Sequence, residues 1–323
     1  MPELPEVETL CRQLKTILPG EEILRIEILD ARLEKIQGLV GRRVEAVKRR
    51  GKFLQICISG GLTAELHLRM SGRLFWQKGG IPGKGGTAPD CLNAVLSAGD
   101  ILRLEAPAHG LGKISGPVEA GTEKETMSRK KRPLSPVSGK IGSCPPFFLY
   151  SRLLIDFPAG TLILIDPRRF ATFTVQPVEN TPALVEDALG GLSARRLREI
   201  ARTRRLPVKS FLMDQRLIAG IGNIYACEIL FAAGIDPRRP SCGLSPAEWR
   251  KVAKRSVAIL ERAVACRGTT VSDWRDLFGC SGTNQNHLAV YARQGEICRS
   301  CGGRIERITQ GGRGTWFCPS CQP

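Results

Sequence analysis

A chain of 323 residues is long enough for two domains with cores of their own, and its 42% hydrophobic content is that of an ordinary globular protein. Its charge is lopsided: 48 Lys and Arg against 31 Asp and Glu leave +17 at pH 7, which makes a polyanion the first partner to consider and says nothing about fold. A membrane surface competes for that charge, but the first ten residues carry three glutamates where a leader would be basic, and the most apolar stretch, LLIDFPAGTLILID, is cut by Asp156, Pro158 and Asp166, so no membrane segment is expected.

The chain opens MPELPEVETL. Pro2 with Glu3 and Glu6 behind it reads first as an ordinary helix start, a proline at the first position and acids in the first turn. Val7, Leu10, Leu14 and Ile17 continue at helical spacing. A second reading is chemical. With Met1 removed, Pro2 is a secondary amine, and an α-amino group of pKa ~7.7–8.0 keeps a usable neutral fraction near pH 7, where a lysine keeps almost none. Such an amine attacks electrophilic sugar carbons.

Strands follow at ILRIEIL, VEAVKR, KFLQICIS, LTAELHL and GRLFW. Among them RRGKFL puts Lys52 at a strand start behind Arg49 and Arg50, and HLRMSG puts Met70 at a strand end. Residues 77–147 break the pattern with Gly-, Pro-, Ser- and Lys-rich loop and an RKKR run, although LNAVLSAGDILRLEAP inside them could form a small structured element. Strands resume at LYSRLLIDF, GTLILID and ATFTVQ, where IDPRRF groups Arg168 and Arg169 with Phe170. A cation–aromatic cluster of that kind suits a nucleic-acid base or backbone. Taken singly, Met70 and Phe170 read as core residues and the arginines as solvated.

A linker, PVENTPALVED, leads to helices at LSARRLREIAR, PVKSFLMDQ, IYACEILFAAG and LSPAEWRKVAKRSVAILERAVA. In LIAGIGNIYACEILF, Gly220 and Gly222 permit a tight turn, Asn223 is placed to cap the next helix, and the N–H groups of that helix start suit a phosphate; a plain interhelical turn is the alternative. The last 36 residues return to short strands. There CRSCGGRIERITQGGRGTWFCPSC sets Cys298 and Cys301, then Cys318 and Cys321, as two knuckles 16 residues apart. Four thiolates so spaced make a closed, structural Zn2+ site with one ion, and Arg313 lies on the segment leading to the second knuckle. The other eight cysteines are scattered singly and read as small buried hydrophobes.

Together PELPEVET, RRGKFL, HLRMSG, DPRRF, KSFLMDQRLIAGIGNIYACEILFAAGI and VYARQGEICRSCGG…FCPSC resemble, in order and over nearly the whole chain outside 77–147, the formamidopyrimidine-DNA glycosylase family. The resemblance implies an α+β fold: an N-terminal catalytic β-sandwich with flanking helices over 1–176, a linker over 177–187, a helical helix-two-turn-helix DNA-binding domain over 188–287 and a four-cysteine zinc-finger β-hairpin over 288–323. It implies excision of oxidised purines from damaged double-stranded DNA with nicking of the abasic site. Pro2 would be the nucleophile, Glu3 the general acid, Glu6 its support and Lys52 a phosphate ligand that assists catalysis. Met70, Arg168, Arg169 and Phe170 would fill and flank the gap left by the extruded base. Lys209, Asn223 and Arg313 would hold backbone phosphates, and residues 279–288 match the loop that closes over the flipped base. A monomer in the bacterial cytoplasm, associated with the nucleoid and not with a membrane, is expected.

Three features depart from the family: the length of the 77–147 insertion, FFLYSRLLID where the family often carries histidines, and the need to lose Met1. An oxidised-pyrimidine branch shares the architecture but opens closer to PEGPE. A catalytically silent DNA-binding protein would not need Pro2, Glu3 and Lys52, and an RNA-binding zinc ribbon would leave the N-terminus unexplained.

Overall fold

The computed structural model describes residues 2–33, 36, 38–79, 150–178 and 186–323. The expected structured element and the RKKR run of the insertion lie outside the described residues, as does most of PVENTPALVED.

The first helix, α1 (Leu4–Lys15), begins two residues later than a helix led by Pro2 would: Glu3 is its N-cap, Pro5 occupies the first turn, and Glu3 N donates to Glu6 Oε2 at 2.8 Å. Pro2 therefore stands outside the helix, free of its hydrogen bonding. Val7, Leu10 and Leu14 bury the inner face, and the helix stops before Ile17.

Two four-stranded antiparallel sheets make the N-terminal sandwich. One has the order β1-β6-β7-β5, with β1 (Arg25–Ile28), β5 (Arg73–Lys78), β6 (Ser151–Phe157) and β7 (Gly160–Ile165). The other has the order β2-β3-β4-β8, with β2 (Val44–Arg50), β3 (Phe53–Ile58), β4 (Leu62–His67) and β8 (Thr172–Pro177). Leu74, Trp76, Ile155 and Leu164 of the first sheet meet Val47, Leu54, Ile56 and Leu66 of the second in one apolar core, which α1 and Trp274 close. Because β5 runs to Lys78, Gln77 and Lys78 are strand, not the start of the insertion.

The C-terminal half packs α2 (Ala194–Ala201), α3 (Val208–Met213), α4 (Asn223–Ala233) and α5 (Pro246–Ala265) around Phe211, Tyr225, Leu230 and Trp249. The sequence of α4, NIYACEILFAA, is apolar nearly all round, and the helix is accordingly central, buried from Ile224 through Leu230. Ser245 and Glu248 cap α5 reciprocally, with Pro246 opening it. The terminal hairpin pairs β11 (Glu306–Gln310) with β12 (Arg313–Phe317).

The end of the linker is structured. Glu186 and Asp187 form β9, which pairs in parallel with β10 (Ile218–Ala219), and Asp187 ties the halves together. Arg49 reaches Asp187 at 2.7 and 2.9 Å and Glu8 at 2.7 Å. Burial alone would lower the guanidinium pKa; the two carboxylates outweigh it and raise it. Arg49 is thus a buried interdomain clamp and not a solvated cation, while Arg50 pairs with Glu65 and lies over the Phe53 ring.

Candidate active site

The N-terminal strip lies in the seam between the two halves. Leu4 N donates to Gly220 O at 3.2 Å, and the Leu4 side chain packs in the helical core rather than in the sandwich. The Glu3 carboxylate sits on the start of α4, where Oε1 accepts from Ile224 N at 3.0 Å and Oε2 from Tyr225 N at 3.5 Å. The N–H groups that the sequence offered to a phosphate are therefore held by Glu3. Gly222, not Asn223, is the N-cap.

The glycines of this region are dictated by that approach. A Cβ on Gly222 would stand 2.5 and 2.6 Å from the Glu3 oxygens, and one on Gly220 would stand 2.8 Å from Leu4 Cβ. Gly268 leaves the same kind of room for Glu6, whose Oε1 would lie 2.9 Å from an added Cβ.

Glu6 is buried with Glu3, and its carboxyl accepts from Tyr225 Oη and Thr269 N, each at 2.7 Å, besides Glu3 N. Burial, followed by the nearby Glu3 charge, pushes its pKa above the usual carboxylate range. Thr269 Oγ1 in turn contacts Tyr225 Oη at 2.9 Å and accepts from Asn284 Nδ2 at 2.8 Å. Lys52, 7% exposed, donates to Ile221 O at 3.0 Å; burial lowers its pKa, with Glu3 the leading opposing influence.

Pro2 and Glu6 line a small pocket with Met70, Ser71, Ile224 and the wall formed by Thr269 to Trp274. Residues 279–288 do not line it; they brace its wall through Gly282 N to Thr270 Oγ1, Thr270 N to Gln285 Oε1 and Asn284 N to Gly268 O.

Beside this pocket a cleft of about 830 Å³ runs between the halves, lined by Lys52, His67, Met70, Phe170, Lys209 and Arg313 among others. Met70 and Phe170, about 100 positions apart, share this cleft because β4 pairs with β8, His67 opposite Thr172. Neither is a core residue: they are 52% and 51% exposed. Each follows a residue in the left-handed region, Arg69 at φ 54° and Arg169 at φ 56°, an uncommon conformation for a non-glycine side chain. Asp166 sets the second loop, accepting from Ser71 Oγ at 2.5 Å, Arg168 N at 3.2 Å, Phe170 N at 2.7 Å and Ala171 N at 2.6 Å. Arg168 and Arg169 are exposed, as read from the sequence.

Across the cleft, Lys209 Nζ donates to Gly314 O at 3.1 Å and Thr315 Oγ1 at 2.6 Å, and Asn223 Nδ2 donates to the same Gly314 O at 3.1 Å. Lys209 is 1% exposed and its pKa is lowered by burial. Both side chains thus hold the turn that presents Arg313. Cys298, Cys301, Cys318 and Cys321 converge with their sulfurs within 4.8 Å of one another, two pairs standing 3.9 and 3.4 Å apart. Four sulfurs at Zn–S distances of about 2.3 Å stand about 3.8 Å apart in a tetrahedron, so the cluster fits zinc. Of the eight lone cysteines, Cys91 and Cys144 lie outside the described residues; Cys11 and Cys227 are buried, Cys57 and Cys266 half-buried, and Cys242 and Cys280 exposed, so only part of the described set behaves as buried hydrophobes.

Sequence reasoning missed Tyr225, Thr269, Asp166 and His67. His67 Nδ1 accepts from Arg69 N at 2.9 Å, and burial, aided by Arg69 and Lys52, depresses its pKa to about 4. Only HLRMSG itself hinted at it; the contacts of Asp166 with Ser71, of Tyr225 with Glu6 and of Thr269 with Glu6 span 95, 219 and 263 positions, distances that no local pattern covers.

Residues 1–107 match the family described as formamidopyrimidine-DNA glycosylase N-terminal domain, 187–274 its H2TH domain, and 295–323 the zinc finger found in FPG and IleRS. A formamidopyrimidine-DNA glycosylase of Gloeobacter violaceus is 33% identical over 100% of this chain and 98% of its own length. The chain belongs to the formamidopyrimidine-DNA glycosylase family. The Moorella thermoacetica member is 34% identical over 95% of this chain and 94% of its own. Among solved structures, Lactococcus lactis Fpg in complex with abasic-site DNA superposes with a TM-score of 0.73 at 26% identity, covering 99% of both chains. The wild-type form of that protein in complex with an oxidized-pyrimidine DNA gives 0.72 at 26% identity, again over 99% of each chain. The fold is thus the family's α+β architecture, with sandwich, helix-two-turn-helix and finger hairpin as the sequence led us to expect. No helix among the described residues is long and apolar enough to cross a membrane.

Proposed function

We propose that this protein is a DNA repair glycosylase that excises oxidised purines, 8-oxoguanine and formamidopyrimidines, from duplex DNA and cleaves the abasic site by β- and δ-elimination. The observation that carries the reading is the burial of Glu3 against the α4 start, next in sequence to Pro2, which itself lines a pocket beside exposed Met70. A buried carboxylate held by two backbone N–H groups is costly to assemble, and a plain helix start needs none of it.

A base in the stack hides its C1′, so the nucleotide must be extruded, and Met70, Arg168 and Phe170 replace the lost stacking while Arg169 stays beside the backbone. Lys52, Lys209, Asn223 and Arg313 hold the phosphates around the lesion. With Met1 removed, the Pro2 nitrogen bonds to C1′ as the glycosidic bond breaks, its electron pair leaving with the base; the N–H proton that the new ammonium sheds balances the proton the base takes up, and the nitrogen regains its lone pair. Glu3 delivers a proton to O4′ as the sugar ring opens and the nitrogen lone pair closes an iminium to C1′. The iminium acidifies C2′; loss of a proton there expels the 3′ phosphate, and a second proton loss at C4′ expels the 5′ phosphate. Hydrolysis then frees Pro2. Glu6 is a positioning residue: it fixes the Glu3 backbone, Tyr225 and Thr269.

One Zn2+ held by the four cysteines would fold the finger and so place Arg313, taking no part in the chemistry. The expected partner is damaged double-stranded DNA, bound by a monomer in the cytoplasm. Lactococcus lactis Fpg with an oxidized-pyrimidine DNA favours a broader second reading, in which oxidised pyrimidines are also substrates.

Borohydride trapping tests the reading. The untagged protein is incubated with duplexes carrying 8-oxoguanine opposite cytosine, or an oxidised pyrimidine, reduced, and mapped by mass spectrometry. An adduct on Pro2 is expected with the first. No adduct there or on an abasic duplex, with binding intact, would leave a silent DNA-binding protein. Pro2→Ala keeps a terminal amine and should be a partial lesion, whereas an uncleaved N-terminal tag should abolish nicking.

A further inference from the structure

The helical run LSARRLREIAR is strongly basic, and the chemistry above uses none of it. In the fold it borders a hollow of about 750 Å³ between α2, α5 and the loop at 241–244 that shares no residue with the DNA cleft. Arg195 and Arg198 of α2 and Arg202 at its C-cap stand at i, i+3 and i+7 along one side, and Arg250 meets them from α5. All four are exposed. Glu199 is the one acid in the lining, and it already accepts from Arg195 at 3.0 Å. Arg198, Arg202 and Arg250 have no ion pair among the described residues. Glu248, near the mouth, is committed to Arg239 at 2.5 Å and to the Ser245 cap. The rest of the lining includes Ala194, Ala201, Leu244, Pro246 and Trp249.

We propose that this hollow is a docking site for an acidic peptide segment of a partner protein, one that carries an apolar side chain among its carboxylates. Three unpaired guanidiniums around one concavity recognise carboxylates in the bidentate geometry that arginine favours, and the volume lies in the range of sites that enclose a small ligand. A second duplex fits less well. It presents phosphates on a convex surface, whereas this cation ring surrounds a hollow with apolar walls, which admits side chains. The site is separate from the cleft, so peptide and DNA bind together, and the partner is held on the enzyme while DNA occupies it.

The test is fluorescence anisotropy with a labelled heptapeptide, Asp-Glu-Asp-Leu-Phe-Asp-Glu, added to the full-length protein saturated with an abasic-analogue duplex. Binding should persist with the duplex present and weaken at least tenfold in Arg198→Glu/Arg202→Glu. It should also weaken when Leu-Phe is replaced by Ser-Ser, and as salt rises from 50 to 300 mM. The substituted side chains are exposed, so the variant should keep its melting temperature and its affinity for lesion duplex. Displacement of the peptide by duplex would place it in the DNA cleft and overturn the proposal. So would unchanged binding to the double variant, or retention of the Ser-Ser peptide. If the hollow instead took up a second labelled duplex in competition with the peptide, a nucleic-acid site would replace the peptide one. None of these outcomes depends on the Pro2 chemistry, whose failure would appear as absent trapping with peptide binding intact.

Discussion

Gly222→Ala isolates the contact on which the proposed chemistry depends. Gly222 has φ −124° and ψ −159°, extended backbone that any residue adopts, so the substitution brings no conformational penalty and should slightly stiffen the unfolded chain. The added Cβ, however, would stand 2.5 and 2.6 Å from the two Glu3 oxygens. Glu3 is 2% exposed and its carboxylate lies directly against the added atom, so it must shift off the Ile224 and Tyr225 N–H groups. Hydrogen bonds to a charged group are worth about 1.5–3 kcal/mol each, and misplacing one preorganised group at a reacting centre costs about 2–4 kcal/mol of transition-state stabilisation. Single-turnover excision should therefore slow by roughly 30- to 1,000-fold. Lesion-duplex affinity should change little, because the phosphate ligands are elsewhere. The control is a double-mutant cycle with Glu3→Gln: if alanine acts through Glu3, its effect should largely vanish in that background. Excision at the wild-type rate, or an equal loss in both backgrounds, would refute the assignment of Gly222 as the Glu3 cradle.

The other expectations concern binding, metal and pH. Arg313→Ala should weaken binding to damaged and undamaged duplexes alike and reduce the salt slope of log K by about one, measured by anisotropy titrations at several salt concentrations; a loss confined to one lesion would speak against a phosphate role. Asn223→Ala, which leaves the Gly314 carbonyl with Lys209 alone, should also weaken binding uniformly, and unchanged affinity would remove Asn223 from the interface. Cys301→Ser should lower bound zinc by mass spectrometry and abolish DNA binding while the sandwich keeps its melting transition, because the finger packs on α4 and not on the sheets; an unaltered zinc content would refute the ligand set. His67 is held neutral, its folded pKa of about 4 lying below the usual 6.5. The unfolded chain thus takes up the proton first, and stability present above pH 6.5 is lost as pH falls through that window to about 4. At ~1.4 kcal/mol per pH unit this is about 3 kcal/mol as an upper figure, and urea melts should show a shallower decline for His67→Phe; identical pH profiles would mean that the imidazole is not buried as described.

The elements were legible because each carries its own period. Alternation in KFLQICIS and LTAELHL, and the 3.6-residue spacing of LSPAEWRKVAKRSVAILERAVA, are local properties, and β3, β4 and α5 formed where they were read. The four-cysteine cluster was legible for the same reason, since two-residue spacing places both thiols of a knuckle by local geometry. What could not be read is every feature decided by a partner far along the chain. Arg49 looked like one more cation, and only the meeting of β2 with Glu8 and the linker end turns it into a buried clamp. Met70 and Phe170 looked like core because apolar side chains at strand ends are usually covered by another element. Here the β4–β8 pairing brings both loops to one cleft and leaves both side chains in the open. The start of α4 shows the limit most clearly. Its free N–H groups invite an anion, and the sequence left a phosphate or a plain interhelical turn open there. A protein anion only 2% exposed, Glu3, lies over 200 residues away and reaches them first, because α1 enters the seam alongside Gly220 and Gly222. A phosphate at that site would have to displace Glu3. The side chains around it, Lys52, Lys209, Asn223 and Arg313, hold or form the rim of the same seam, and in the proposed function it is they, not the α4 N–H groups, that meet the phosphates.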